Sequence, residues 1–306
     1  MSTRTRFRPD RQLTTRMLIT MFLLGLLYVA FAAAIFALLK SVVLLVIIAA
    51  GVLVAQFWFS DRIALWAMRG QIVTPEQAPE LHGMVDRLCA TANMPKPRVA
   101  ISTMDMPNAF ATGRSQKHAV LCVTNGLRRR LEPRELEAVL AHELSHVAHR
   151  DVAVITIASF IGVLAGLLAR VAFYSELFGG GRRDNNDQST SFVLAIVMLV
   201  SVVVYAISFL LIRALSRYRE LAADRAAAIL TGRPSDLASA LTKVTGRIAA
   251  IPTQDLRTAQ AFNAFFFAPA KGRGASLANL FSTHPTLERR LEQLAKISAQ
   301  LGQPIS

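Results

Sequence analysis

Residues 133–151 read PRELEAVLAHELSHVAHRD, and an uncharged run, 152–169, follows them directly. Pro133 suits the first turn of a helix, and Glu135 and Glu137 suit its positive end. His142, Glu143 and His146 then fall at helical spacing. Residues i and i+4 share a face, so both imidazoles can point at one ion with Glu143 beside it. The stretch thus joins a candidate metal-binding helix to a segment apolar enough to enter lipid. The fold turns on that junction.

Three further runs, 17–39, 42–59 and 192–212, are also free of charge. A helix needs ~20 apolar residues to cross ~30 Å of hydrocarbon, so the four runs read as two membrane hairpins. Composition agrees. The 306 residues are 53% hydrophobic and 18% charged, against roughly 45–50% and about 25% in ordinary globular chains. Such a chain is not disordered. Two cysteines exclude a disulfide-stapled scaffold and fit a reducing compartment.

The net charge of +14 could suggest a nucleic-acid binder, but its distribution follows topology instead. Arg4, Arg6, Arg8, Arg11 and Arg16 precede the first run, Lys40 stands alone in the first outer turn, and Arg170, Arg182 and Arg183 lie in the second. Basic residues gather on the cytoplasmic side, which puts both termini and 60–151 there. The first run is too long, and too closely followed by another, to be a cleaved signal. The expected organisation is a basic cytoplasmic tail (1–16), a hairpin (17–59, from 17–39 and 42–59), a cytoplasmic part (60–151), a second hairpin (152–212, from 152–169 and 192–212) and a second cytoplasmic part (213–306).

Within 60–151, Leu81, Met84, Val85 and Leu88 line one face of a helix over 80–93, ended by Pro95 and Pro97. Short strands are expected over 99–102, 108–112 and 119–124, broken by Pro107, Gly113 and Gly126. Residues 179–190 and 269–274 read as loops.

A hydrolytic zinc site needs three protein ligands and one open position. His149 is a poor third ligand, because three donors from one rigid helix crowd one side of a tetrahedron. The glycine-containing spacing of the metzincins is absent as well. Glu220 is the better candidate. If both helices run on unbroken, His142 and His146 stand ten and six residues before 152, and Glu220 stands eight after 212. At 1.5 Å per residue all three lie about 9–15 Å above the same membrane face.

Asp224, one turn beyond Glu220, could fix the tautomer of a ligating imidazole or act as an i,i+4 partner on a solvated helix. Asp151 reads as a helix-end or interface residue. Glu143 is placed to take a proton from an ion-activated water. The developing oxyanion needs a donor, and His284 is the candidate, the alternative being that it merely precedes a helix start at Pro285.

His142-Glu143-x-x-His146 followed by Asp151, then Glu220-x-x-x-Asp224, with Asn108-Ala109-Phe110-Ala111-Thr112-Gly113 upstream, together resemble the HtpX family. These are bacterial inner-membrane zinc metalloproteases related to the type I CaaX prenyl proteases. The resemblance runs from about residue 17 to 295 of the chain. It implies a mainly α fold: a four-helix transmembrane protein with a cytoplasmic zincin-like α+β metalloprotease domain containing a small sheet. It further implies an endopeptidase of membrane-protein quality control, with one Zn2+ per chain on His142, His146 and Glu220. Its partners would be membrane and cytoplasmic protein substrates and the lipid bilayer, with no nucleic acid.

By the same resemblance, His284 and Arg290 contact substrate or transition state. Asn108, Ala109, Phe110 and Ala111 would form an edge strand that pairs with substrate backbone, or else an ordinary sheet strand. Phe262, Phe265, Phe266 and Phe267 read as core, a lid or an interfacial patch. The basic N-terminal extension, His149 and the 262–267 stretch do not match the family pattern. His82, His118, Cys89 and Cys122 have structural readings only. The rival functions are an intramembrane zinc protease, disfavoured by the charges flanking the motif, and a non-enzymatic membrane scaffold, disfavoured by an intact Glu143.

Overall fold

The structure, a computed structural model, describes residues 11–38, 57–151, 187–249 and 284–302, with single positions between 47 and 55 and between 153 and 173. It is mainly helical with one small mixed sheet. Helix α1 covers Arg11–Leu38 and α2 covers Ser60–Ala67, followed by strand β1, Gly70–Ile72. Helix α3 is Pro79–Ala92, and β2, β3 and β4 are Arg98–Ser102, Ala109–Thr112 and Val120–Thr124. A short α4, Asn125–Arg128, leads into α5, Pro133–Ala148. Helices α6, Asp187–Thr231, α7, Pro234–Ala249, and α8, Leu287–Gln300, complete the described elements.

Two of these helices are long and apolar enough to cross a membrane, over Arg11–Phe31 and Ala195–Thr231. They pack on one another, and Leu24 and Leu215 are buried at the contact beside Met17, Tyr28, Leu211 and Ile212. Their outer faces leave large apolar side chains open, among them Leu18, Phe22, Leu26 and Val29 on α1 and Leu199, Val203 and Leu210 on α6. That exposure would be costly in water and is neutral in lipid. The four-span expectation is therefore met for two spans. Those at 42–59 and 152–169 fall largely outside the described residues, as do 250–283.

Three further expectations change. The first helix is already formed at Arg11, so the end of the basic tail belongs to it rather than preceding it. The loop expected over 179–190 is helical from Asp187 onward. Strand β1 was not foreseen. It is three residues long, with too little alternation to register as a pattern.

The sheet order is β1-β2-β4-β3, with β2 and β4 parallel and both outer pairs antiparallel. One face packs on α2 through Ala64, Met68, Ala100, Phe110, Val120 and Cys122. The other face joins the main core, where Val85 and Leu88 of α3 meet Val139, Leu140 and Leu144 of α5 and Leu237 and Leu241 of α7. Helix α3 stops where Asn93 takes the left-handed conformation (φ 52°). Helix α5 starts on a reciprocal capping box between Glu132 and Glu135, with Pro133 in its first turn.

Candidate metal centre

Helix α5 brings His142 and His146 to one face, as their spacing requires. Helix α6 brings Glu220. Its 45 residues span about 68 Å, more than twice the ~30 Å of hydrocarbon. The assumption that both ligand helices continue unbroken from their spans holds for α6 but fails for α5. That helix ends at Ala148, His149 caps it, and Arg150 is left-handed (φ 56°) before helical positions resume at Asp151. The ligands meet even so, because α5 packs against α6 through the core rather than riding on a straight stalk.

The Nε2 atoms of His142 and His146 are 3.2 Å apart. Glu220 Oε2 lies 3.7 Å from His142 Nε2, and Oε1 lies 3.4 Å from His146 Nε2. Behind the imidazoles stand two more carboxylates, with Asp224 Oδ1 2.9 Å from His142 Nδ1 and Asp151 Oδ2 2.5 Å from His146 Nδ1. If each Nδ1–H donates to its carboxylate, each Nε2 is left as a lone pair aimed at the other and at Glu220. Converging acceptors repel unless a cation lies between them. Three tetrahedral ligands with bonds of about 2.0–2.1 Å sit about 3.3 Å from one another, close to the separations found. The donor set fits a divalent ion. Among the described residues, His142, His146 and Glu220 form the one group of this kind.

His149 is not part of it, since its Nδ1 is bound to Ser145 O at 2.7 Å. Asp151, read from sequence as an end-of-helix residue, instead backs His146, and Arg219 pairs with it in turn. The matching arrangement on the other side is Arg290, whose Nε and Nη2 hold the two oxygens of Asp224 at 2.7 and 2.6 Å. Arg290 is 1% exposed and also lies 3.7 Å from Glu220. Arg290, expected to contact substrate or transition state, is buried here against Asp224 behind the ligands. Sequence reasoning missed Asp151 and Arg219. Asp151 stood in the motif that carries the family resemblance, five residues after His146, and the signal for Arg219 was its place directly before Glu220.

Burial is the main influence on the remaining groups. It pushes the Glu143 carboxyl up to about 8, reinforced by the nearby Glu220 and opposed by His146. It also lowers His142, against the pull of Asp224, which favours the neutral ring that a ligand must be. Glu143 Oε2 accepts from the Ala111 amide at 3.1 Å. His284 is buried with its Nδ1 3.0 Å from Glu220 Oε2.

Strand β3 lies at the sheet edge beside α5. Asn108 turns its main chain inward, where its N–H donates to Thr124 Oγ1 (2.9 Å) and its carbonyl accepts from Thr124 N (2.9 Å). Phe110 packs its ring beneath the sheet. By strand alternation the outward main-chain groups belong to Ala109 and Ala111. Of the four residues expected to meet substrate, Asn108 and Phe110 are bound into the sheet, Ala109 is buried in the core, and the Ala111 amide meets Glu143. The Phe-rich stretch at 262–267 lies outside the described residues.

The profile of peptidase family M48 matches residues 75–298. The chain is 70% identical over 298 residues to Protease HtpX homolog 1 of Streptomyces coelicolor, covering 97% of each. It is 52% identical over 293 residues to a Protease HtpX homolog of Moorella thermoacetica, covering 95% of this chain and 96% of that one. Among solved structures it is similar to S. mikatae Ste24p, with a TM-score of 0.50 and 16% identity over 93% of this chain and 66% of that one. The last likeness concerns the fold.

Proposed function

The chain belongs to peptidase family M48, of HtpX type, and from that premise we propose that it is a zinc endopeptidase working at the cytoplasmic face of the membrane. Its substrates in this reading are misfolded or damaged membrane proteins, and unfolded cytoplasmic ones. The single observation that carries the reading is Glu220, which reaches both imidazoles of the HExxH helix from a helix long enough to stand in the bilayer.

Zinc on His142, His146 and Glu220 would supply Lewis acidity to a water and to the scissile carbonyl. The residues supply the rest. Glu143, held by the Ala111 amide, takes the proton from the attacking water and later passes it to the leaving amine. Burial that raises its carboxyl makes Glu143 a stronger base for the first of these transfers. His284 donates to the oxygen that gathers charge as the carbonyl becomes tetrahedral. The outward edge of strand β3 at Ala111, whose amide is held by Glu143 and whose carbonyl remains, pairs with extended substrate, a mode that reads little side-chain information and suits varied damaged proteins. Asp224 with Arg290 and Asp151 with Arg219 keep the two imidazoles in register.

Cleavage of unfolded casein by the purified full-length chain tests the reading. Activity should vanish with a chelator and return with zinc; cleavage indifferent to chelation would refute it. A reporter fused after Ser306 should behave as cytoplasmic, and periplasmic behaviour would invert the topology.

A further inference from the structure

A second cluster of charged side chains, none of them a metal ligand, lies where residues 58–62 meet the sheet. Trp58, Phe59, Asp61, Arg62, Arg98, Arg114 and His118 line a cavity of ≈ 240 Å³. Three guanidinium groups thus share one space with one carboxylate. Asp61 is committed to Arg98 at 2.6 Å, and among the described residues no carboxylate pairs with Arg62 or Arg114. Two aromatic rings hold these arginines in place. The Arg114 guanidinium stacks 4.4 Å from the Trp58 ring and its Nη1 donates to Trp58 O (3.4 Å), while Arg62 sits 5.8 Å from the Phe59 ring. Stacking uses the guanidinium face and leaves edge N–H groups for an anion.

The loop that carries Arg114 and His118 is firmly shaped. Gly113 has φ +131°, and a Cβ there would come 2.5 Å from His118 O. Ser115 Oγ and His118 Nδ1 are 2.9 Å apart. Gln116 Nε2 donates to Ala148 O (3.0 Å), tying the loop to the last turn of the HExxH helix.

We propose that this cavity binds the phosphate of an anionic lipid headgroup from the cytoplasmic leaflet. Excess positive charge, donors arranged for bidentate phosphate contacts and position favour this ligand together. The cavity is lined by the last residues of the 42–59 apolar run, where Trp58 is 54% exposed. Tryptophan at such a boundary sits at headgroup level, the depth at which lipid phosphates lie. A bound headgroup would brace the loop between the substrate-side strand β3 and the end of α5. The proposal rests on the membrane topology proposed above, although the test below does not.

Native mass spectrometry of the full-length, zinc-loaded chain in neutral detergent, titrated with phosphatidylglycerol, reads the site directly. One lipid should bind each chain tightly. Arg62→Gln with Arg114→Gln should weaken it about thirtyfold, and the double Lys variant, which keeps charge but loses the fork, should fall between. The exposed pair Arg128→Gln with Arg134→Gln should leave affinity unchanged. Equal binding by wild type and the Arg62, Arg114 variant would overturn the proposal, and so would equal loss in the control pair. Displacement of the lipid by an equal concentration of inorganic phosphate would overturn the lipid assignment and leave a free-phosphate site. Binding is read in detergent, so it does not depend on orientation, which the Ser306 reporter judges separately.

Discussion

Asp151 reaches back across the left-handed break at Arg150 to set its Oδ2 2.5 Å from the Nδ1 of His146. The second imidazole is thereby held from behind as the first is by Asp224, and each carboxylate has its own arginine. Partners of this kind typically govern metal affinity by about 10–100-fold. Asp151→Asn and Asp224→Asn should each weaken zinc binding within that range while leaving the fold intact. Zinc competition titration checks it, and wild-type affinity for Asp151→Asn would return that residue to a helix-end role.

Glu143 touches the metal site only through its carboxylate, and Ala111 already positions one oxygen. Glu143→Gln keeps shape and loses the base. Casein cleavage should fall by about 10²–10⁴-fold with zinc content unchanged. If zinc is lost as well, the residue has a structural share that the geometry does not suggest.

Glu135 links the start of α5 to α7, accepting from Ser239 Oγ at 2.6 Å and pairing with Lys243 at 2.7 Å. Burial alone would raise its carboxyl, but Lys243, Ser239 and the Glu132 amide bring it below its ordinary value of 4.5. A depressed folded-state value means stability present above the unfolded value and lost as pH falls through the folded one. Glu135→Gln should therefore cost about 1–2 kcal/mol near neutrality, and the gap should narrow as pH falls below the ordinary value of 4.5 and close once the folded-state carboxyl is protonated. Thermal midpoints of the two proteins across pH check it; a constant gap would contradict the linkage.

Gly126 lies where the chain passes close over Asp105. A Cβ there would stand 1.9 Å from Asp105 O, and that carbonyl is pinned by Arg130 Nη1 at 2.7 Å. Gly126→Ala should destabilise by about 1–3 kcal/mol. Gly83→Ala in the middle of α3, where the nearest atom is 3.7 Å away at the end of Arg87, should instead gain up to about 1 kcal/mol. Paired thermal melts test both signs.

The helices outside the apolar runs were legible because their apolar faces repeat cleanly, as with Leu81, Val85 and Leu88, and because Pro133 marks one start and Pro95 and Pro97 follow one end. The ligand set was legible for a different reason. A hydrolytic site needs a third donor from elsewhere, and Glu220 was the acid at matching height. What sequence hid was set by tertiary contact. The break at Arg150 depends on a backbone turn that no residue type announces, since arginine is not a left-handed residue by preference. The role of Arg290 in contacting substrate or transition state came from the family resemblance alone, which says nothing of its burial. Only the packing of α8 on α6 places it over Asp224 instead.

The central claim is that Glu220 completes a three-residue metal site with His142 and His146. Metal analysis of the purified full-length protein should find about one zinc per chain, matching the one donor group among the described residues. Glu220→Ala should retain little or none after dialysis against zinc-free buffer, with its helix content preserved. A Glu220→Ala protein that still holds one tightly bound zinc would contradict the account and send the search for the third ligand elsewhere.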